Sequence, residues 1–408
     1  MRTHSVVLLS LLALPLASLA AQSPPRGREL GIPFPGKTGQ WNAITDVPGV
    51  SVGHVTLIQG DGALVPGKGP IRTGVTAIFP RPRGDWDFVM AGTFNLNGNG
   101  DMTGVNWVKE SGFLEGPILL TGTHSVGTVR DAAIKWQETH GRDFLFTYPL
   151  VAETFDVLND ANGGHVKPEH AWAALDSART GAVREGGVGG GTGMGCNGFK
   201  GGIGTSSRVV AGPGGKAYTL GVLVQCNYGG DLHILGAPVG REITDLRFCS
   251  TLAGEQSRAW LRGIPKCGQA TRPRQEEDVA EQIGRGSIIV IVATDAPMLP
   301  HQLERISRRV AMGLGKLGSF AGNGSGDLFL SFSTANRSNA VVDSVEHITA
   351  LPNERMNPFF IATIEATEEA VVNAMLAAET MIGADGLRAS RLPGDRVMAA
   401  LRKYGRIP

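Results

Sequence analysis

The chain has 408 residues, with 38 basic against 37 acidic side chains and 42% hydrophobic against 18% charged positions. That balance excludes a disordered chain, which needs low hydrophobicity or high net charge, and it supplies no global basic excess to hold nucleic-acid phosphates. Glycine is the outlier at 58 residues, roughly double the ordinary ~7% and without a collagen period, so many positive-φ turns and close backbone approaches are expected.

Residues 1–21, MRTHSVVLLSLLALPLASLAA, carry one early arginine, Arg2, an apolar run from Val6 to Leu16, and then Ser18 and Ala20 at the −3 and −1 positions of a signal-peptidase site. They read as a secretory signal over 1–20, with the mature chain starting at Ala21 and residing in the periplasm or outside the cell. The apolar run is too short to span ~30 Å of hydrocarbon, so no membrane association is expected after the signal is removed.

ITDVPGVSVGHVTL (44–57), GVTAIFP (74–80) and the start of FVMAGTFNLNGNGDMTG (88–104) read as strands. Helices are expected around 104–112 and 124–139, the second capped by Thr123 or Ser125, and a short one over 169–178. RVVA (208–211) and TLGVLVQCNY (219–228) are strands, the latter covered on both faces. The stretch 270–286 is the most charged of the chain and reads as a surface loop or short exposed helix. SIIVIVATDAPMLP (287–300) then begins a buried strand. Leu303, Ile306, Val310 and Leu314 share one face of a helix over 301–316. LFLSFST (328–334) and PFFIATIEA (358–366) read as strands, with Thr367 capping a helix that stops near Gly383. Strands and helices interspersed without a regular βαβ period imply a layered, mixed α/β sandwich.

Several motifs fail on their details. In GGVGGGTGMGCNGFKGGIGTSSR (186–208) the third glycine of a dinucleotide fingerprint is Thr192, and GPGGKA (212–217) ends in Ala217 where a phosphate loop needs Ser or Thr. The glycine-rich loop therefore either lines a site or packs two sheets closely. His165 and His170 have no metal-ligand spacing, and Ser325 in GNGSGD lies outside a G-x-S-x-G elbow. Neither a metal nor another cofactor is expected. Among the cysteines, Cys249 and Cys267 lie in a polar region where an oxidising compartment permits a bridge, whereas Cys196 and Cys226 are expected to be buried free thiols.

Ser287 makes chemical sense. It stands between Gly286 and an apolar strand, just after the charged stretch. If the Gly286–Ser287 bond broke, Ser287 would carry both a hydroxyl nucleophile and an α-amino base of pKa ~7.7–8.0.

GSIIVIVATDAPMLP, GNGSGDLFLSFSTAN, LVQCNYG, the 186–208 loop, ITDVPGVSVGH and ETFDVLND together resemble the DmpA/BapA family, the N-terminal serine aminopeptidases that include L-aminopeptidase/D-esterases and β-peptidyl aminopeptidases. The resemblance runs from about Gly31 to about Ser390. It implies an α/β (α+β) four-layer αββα sandwich resembling Ntn hydrolases with different strand connectivity. It also implies a precursor that cuts itself before Ser287 into an α chain, 21–286, and a β chain, 287–408, both in one domain. Ser287 matches the nucleophile, Asn227 the oxyanion-hole donor, and Ser325 with Asp327 the pair that positions the nucleophile and shuttles protons. Phe155 stands where some members carry a helpful tyrosine hydroxyl, and Phe155 and Gly191 are expected at the substrate pocket. The expected partners are a short peptide, amide or ester substrate, with β-, D- or L-residues at its amino terminus, and further copies of the αβ unit. The alternatives are a precursor-processing acyltransferase of the ornithine acetyltransferase kind, against which a serine nucleophile argues, and a non-catalytic periplasmic binding protein on the same fold.

Overall fold

A computed structural model describes residues 24–252, 264–269, 285–337 and 345–408. The expected signal segment and the charged residues 270–284 lie outside the described residues. In chain order the strands are β1 (Ser51–Gln59), β2 (Ile71–Phe79), β3 (Val89–Gly98), β4 (Phe113–Leu114), β5 (Ile118–Gly122), β6 (Leu150–Thr154), β7 (Gly195–Cys196), β8 (Phe199–Lys200), β9 (Gly202–Ala211), β10 (Ala217–Asn227), β11 (Cys249–Ser250), β12 (Arg285–Thr294), β13 (Gly324–Ser333), β14 (Met381–Ile382) and β15 (Leu387–Ala389). Two sheets dominate, one ordered β1-β2-β5-β6 and the other β4-β3-β13-β12-β10-β9. In the larger sheet β12 runs parallel to β13 and antiparallel to β10.

Side-chain alternation along β12 sets the layers. Ile289, Ile291 and Ala293 join the apolar layer shared with Val52, Ile78, Ile118 and Leu120 of the smaller sheet. Ile288, Val290 and Val292 face the other way, onto Leu303, Ile306 and Val310 of the Pro300–Lys316 helix and Phe359 and Ala370 of the Asn357–Leu376 helix. A strand covered on both faces must be apolar at every position, and that is why this run is unbroken. The outer face of the smaller sheet packs Val75, Ala77 and Leu119 against Val129, Ala133 and Trp136 of the Val126–Thr139 helix and Leu175 of the Pro168–Asp176 helix. Helix, sheet, sheet and helix form the expected αββα sandwich. At Gly204 on β9 a Cβ would lie 2.0 Å from the Ala370 carbonyl oxygen, so only glycine lets the Asn357–Leu376 helix settle so close.

Four expectations need correction. Residues 358–366 are helical, within Asn357–Leu376, and Thr367 lies inside that helix. Its hydroxyl donates to the Thr363 carbonyl one turn back (2.7 Å). This helix packs on β9 and β10 beside the Pro300–Lys316 helix and is buried along most of its length, polar Glu368, Glu369 and Asn373 included, so no amphipathic stripe announces it. Residues 44–46 form a single 3-10 turn, and the strand begins only at Ser51, after the Pro48–Gly49 bend. Neither Thr123 nor Ser125 makes a side-chain cap on the Val126–Thr139 helix. Thr123 donates to Glu153 instead. Finally, Cys196 and Cys226 are bridged rather than free, because the β7–β8 hairpin folds Cys196 back over the end of β10.

The expected Cys249–Cys267 bridge is present. It ties the 264–269 segment to β11, which pairs with β15. Non-reducing peptide mapping of the purified protein should recover both linkages. Cys249→Ser should lower unfolding stability by about 3 kcal/mol, as the chain-entropy estimate gives for a loop of this size.

Candidate active site

Ser287 lies near the start of β12, opposite Asn227 on β10 and Gly326 on β13. Directly opposed residues share a face, so the Ser287 hydroxyl and the Asn227 amide both project toward the smaller sheet. The Gly326 N–H donates to Ser287 Oγ (3.2 Å). Asn227 is held at both ends of its amide: Oδ1 accepts from the Gly195 N–H (2.9 Å), and Nδ2 donates to the Phe155 carbonyl (2.9 Å). Ser287 and Asn227 are both buried. A hydroxyl, a fixed carboxamide donor and a backbone N–H thus stand at paired positions of three adjacent strands, groups of the kind that can stabilise a tetrahedral oxyanion.

Ser325 and Asp327 alternate with Gly326 along β13, on the face of Phe329, so they stand on the opposite side of the sheet from the Ser287 hydroxyl. The Ser325 hydroxyl donates to Asp327 Oδ1 (2.6 Å). Burial pushes the Asp327 carboxyl above its ordinary value, opposed by hydrogen bonds from Ser325 and from the Ile288 N–H. The pair therefore meets the Ile288 N–H rather than Oγ. Asp327 Oδ2 is buried without a hydrogen-bond partner.

Gly286, the residue before Ser287, has φ +145°, and a Cβ on it would lie 2.2 Å from the Asn227 carbonyl oxygen. Only glycine brings this peptide so close to β10. The glycine-rich loop packs the two sheets together: a Cβ on Gly190 would lie 2.2 Å from Gln225 Oε1 of β10 and 2.6 Å from the Leu120 carbonyl oxygen of β5. Gly191 is buried in the same turn. Phe155 follows β6 and presents its carbonyl to Asn227, and the residue is 38% exposed. The bland placements are plain too: His165 pairs with Asp160 (2.9 Å), and His170 Nδ1 accepts from the Lys167 N–H (2.9 Å).

Three buried ionisable groups around the site escape the sequence reading. Glu153 on β6 accepts from Thr123 and from the Asp101 N–H (3.0 Å), and burial pushes its carboxyl up. Only the Gly100 backbone separates it from β13, since a Cβ there would lie 3.2 Å from Glu153 Oε1 and 3.3 Å from Gly326 Cα. A carboxylate at that edge is chemically suited to a free ammonium. Asp156 is fully buried and pushed up to about 7 by desolvation. Lys200 is also fully buried, and desolvation alone drives it down to about 7. The only available signal for the two acids was their presence in the otherwise apolar run LVAETFDV.

The model of peptidase family S58 matches residues 42–389. The chain belongs to this family. This S58 peptidase is 48% identical over 396 residues to the β-peptidyl aminopeptidase BapA of Sphingosinicella microcystinivorans, covering 96% of each chain. It is 43% identical to the BapA of Sphingosinicella xenopeptidilytica, covering 97% of this chain and 95% of that one. Among solved structures, it matches the L-aminopeptidase D-Ala-esterase/amidase of Ochrobactrum anthropi at 40% identity and TM-score 0.80, over 94% of this chain and 100% of the other. That enzyme is described as a prototype serine aminopeptidase and a new variant of the Ntn-hydrolase fold. The S58 peptidase is accordingly a hydrolase of the serine aminopeptidase type, as the resemblance implied, and its fold class agrees.

Proposed function

We propose that this S58 peptidase is exported, cuts itself between Gly286 and Ser287, and then releases β-amino acids from the amino termini of short peptides and amides. The observation that carries the reading is the placement of Ser287 directly after a glycine peptide that β10 tolerates in no other residue, with the Asn227 amide and the Gly326 N–H beside its hydroxyl.

In the precursor, Ser287 Oγ loses its proton as it attacks the Gly286 carbonyl carbon, the C–N bond breaks to free the protonated Ser287 α-amine and leave an ester on Oγ, and water hydrolyses that ester to a Gly286 carboxylate and the Ser287 hydroxyl. Asn227 Nδ2 exchanges the Phe155 carbonyl for the oxyanion. In the cut enzyme the neutral α-amine takes the Oγ proton as Oγ attacks the substrate acyl carbon, then gives it to the departing amine. Water completes the cycle by hydrolysing the acyl-enzyme. Ser325 and Asp327 lie beside the new amine and steady it for proton exchange. Because the amine must be neutral to act, kcat/KM rises with pH through its pKa, ~7.7–8.0 before local shifts.

The preference for β-residues draws support from the two named β-peptidyl relatives. A panel of β-alanyl, D-alanyl and L-alanyl p-nitroanilides tests it. β-Alanyl p-nitroanilide should give the highest kcat/KM, and an L-alanyl substrate turned over equally fast would overturn the preference while leaving the aminopeptidase assignment intact.

A further inference from the structure

Lys200 is a buried amine that the chemistry above does not use. Its Nζ donates to the carbonyls of Gly201 (2.7 Å) and Gly191 (3.2 Å). Among the described residues no carboxylate pairs with it, and its partners are these two carbonyls. Burying an amine with no carboxylate beside it costs stability, so packing alone explains this lysine poorly.

The two carbonyls it joins bracket the turn that touches Asn227. Inside that turn the Gly201 N–H donates to the Met194 carbonyl (3.0 Å), and the Met194 N–H to the Gly191 carbonyl (3.4 Å). The turn is then fastened to the end of β10 at three successive residues. The Gly195 N–H donates to Asn227 Oδ1 (2.9 Å), Cys196 is bridged to Cys226, and the Asn197 N–H donates to the Tyr228 carbonyl (2.7 Å). The Gly195 N–H at Oδ1 and the Phe155 carbonyl at Nδ2 together set which way round the carboxamide sits. Once Nδ2 leaves the Phe155 carbonyl for an oxyanion, the Gly195 N–H is the contact that still holds the amide in that sense. A flipped amide would set an oxygen against a developing oxyanion.

We infer that Lys200 is a positioning residue for the oxyanion donor: by clamping the Gly191 and Gly201 carbonyls it fixes the Gly195 N–H, and through it the orientation of the Asn227 amide. The inference rests on the oxyanion reading of Asn227. It predicts a loss confined to the transition state, because ground-state substrate binding needs no oxyanion donor.

The test is a double-mutant cycle on the enzyme carrying a free Ser287 amine, using Lys200→Met, Asn227→Ala and the double variant, with kcat and KM read separately on β-alanyl p-nitroanilide. Lys200→Met should lower kcat at least tenfold with KM within twofold of wild type. In the Asn227→Ala background the same change should leave kcat unaltered, since no amide remains to misorient. A wild-type kcat in Lys200→Met, beside a large loss in Asn227→Ala, overturns the role of Lys200 alone. An equal loss from Lys200→Met in both backgrounds overturns it too, since the lysine would then act elsewhere. A wild-type kcat in Asn227→Ala overturns the oxyanion reading and this inference with it. Should Lys200→Met not fold or not process, Lys200→Gln, which keeps an N–H donor on a shorter chain, is measured against the same outcomes with a smaller expected loss.

Discussion

Ser287→Ala is expected to yield one uncut chain with no aminopeptidase activity. The substitution deletes the atom that attacks Gly286 and, with it, the route to the free α-amine, so nucleophile and base disappear together. Loss of a serine nucleophile costs on the order of 10⁶ in kcat where it has been isolated. Intact mass spectrometry reads the first effect, since wild type should give a fragment beginning SIIVIVATD. An alanine variant that is still cut before residue 287 would sink the self-processing reading.

Asn227→Ala should lower kcat by roughly 10²–10³ with a much smaller change in KM, the usual consequence of removing one oxyanion donor from a preorganised site. The geometry makes the substitution clean in one respect and less so in another. The side chain is buried and held by Gly195 and Phe155, so truncation leaves an N–H and a carbonyl without their partner and will also lower thermal stability. Measuring kcat on folded, processed protein separates the two. Unchanged turnover would move the oxyanion donor elsewhere, the Gly326 N–H being the nearest alternative on β13.

How far the sequence carried this reading depended on what each segment had to bury. β12 was legible because two-sided burial forces Ile288 through Val292 to be apolar without a break, and β10 for the same reason, whereas only the last four residues of β9 read as strand because its glycine- and serine-rich start looked like loop. The helix containing Phe359 and Phe360 hid for the same reason that β12 was plain. A helix buried along most of its length loses its polar stripe, and a window such as PFFIATIEA then looks like a strand. The site was legible in its members and not in its arrangement. Ser287 and Asn227 lie sixty positions apart in the chain and meet only through strand register. The motif GNGSGD could not reveal that Ser325 and Asp327 fall on the far side of the sheet from the nucleophile's hydroxyl. Cys196 and Cys226 were misread as thiols because a two-residue hairpin, β7–β8, leaves no periodic trace by which to see the strands that juxtapose them. Glu153 and Lys200 were missed because a charged residue in a sequence looks solvated until the fold removes its water.

The order of the larger sheet has a consequence for the life of the cut protein. Strands on either side of Ser287 alternate in origin: β3 and β4 come from before the cut, β13 and β12 from after it, and β10 and β9 from before it again. The helix seated on Gly204 belongs to the later segment but lies on the earlier segment's strand. If the Gly286–Ser287 bond is cut as proposed, the earlier piece keeps the smaller sheet but neither piece owns the whole of the larger one, and each supplies a face of the other's interior. A single chain can assemble this weave by an intramolecular search, whereas the nicked pair, once fully unfolded, must find each other at a rate that falls with dilution. Processing would thus turn a reversible folder into a protein whose persistence is set by how slowly it opens.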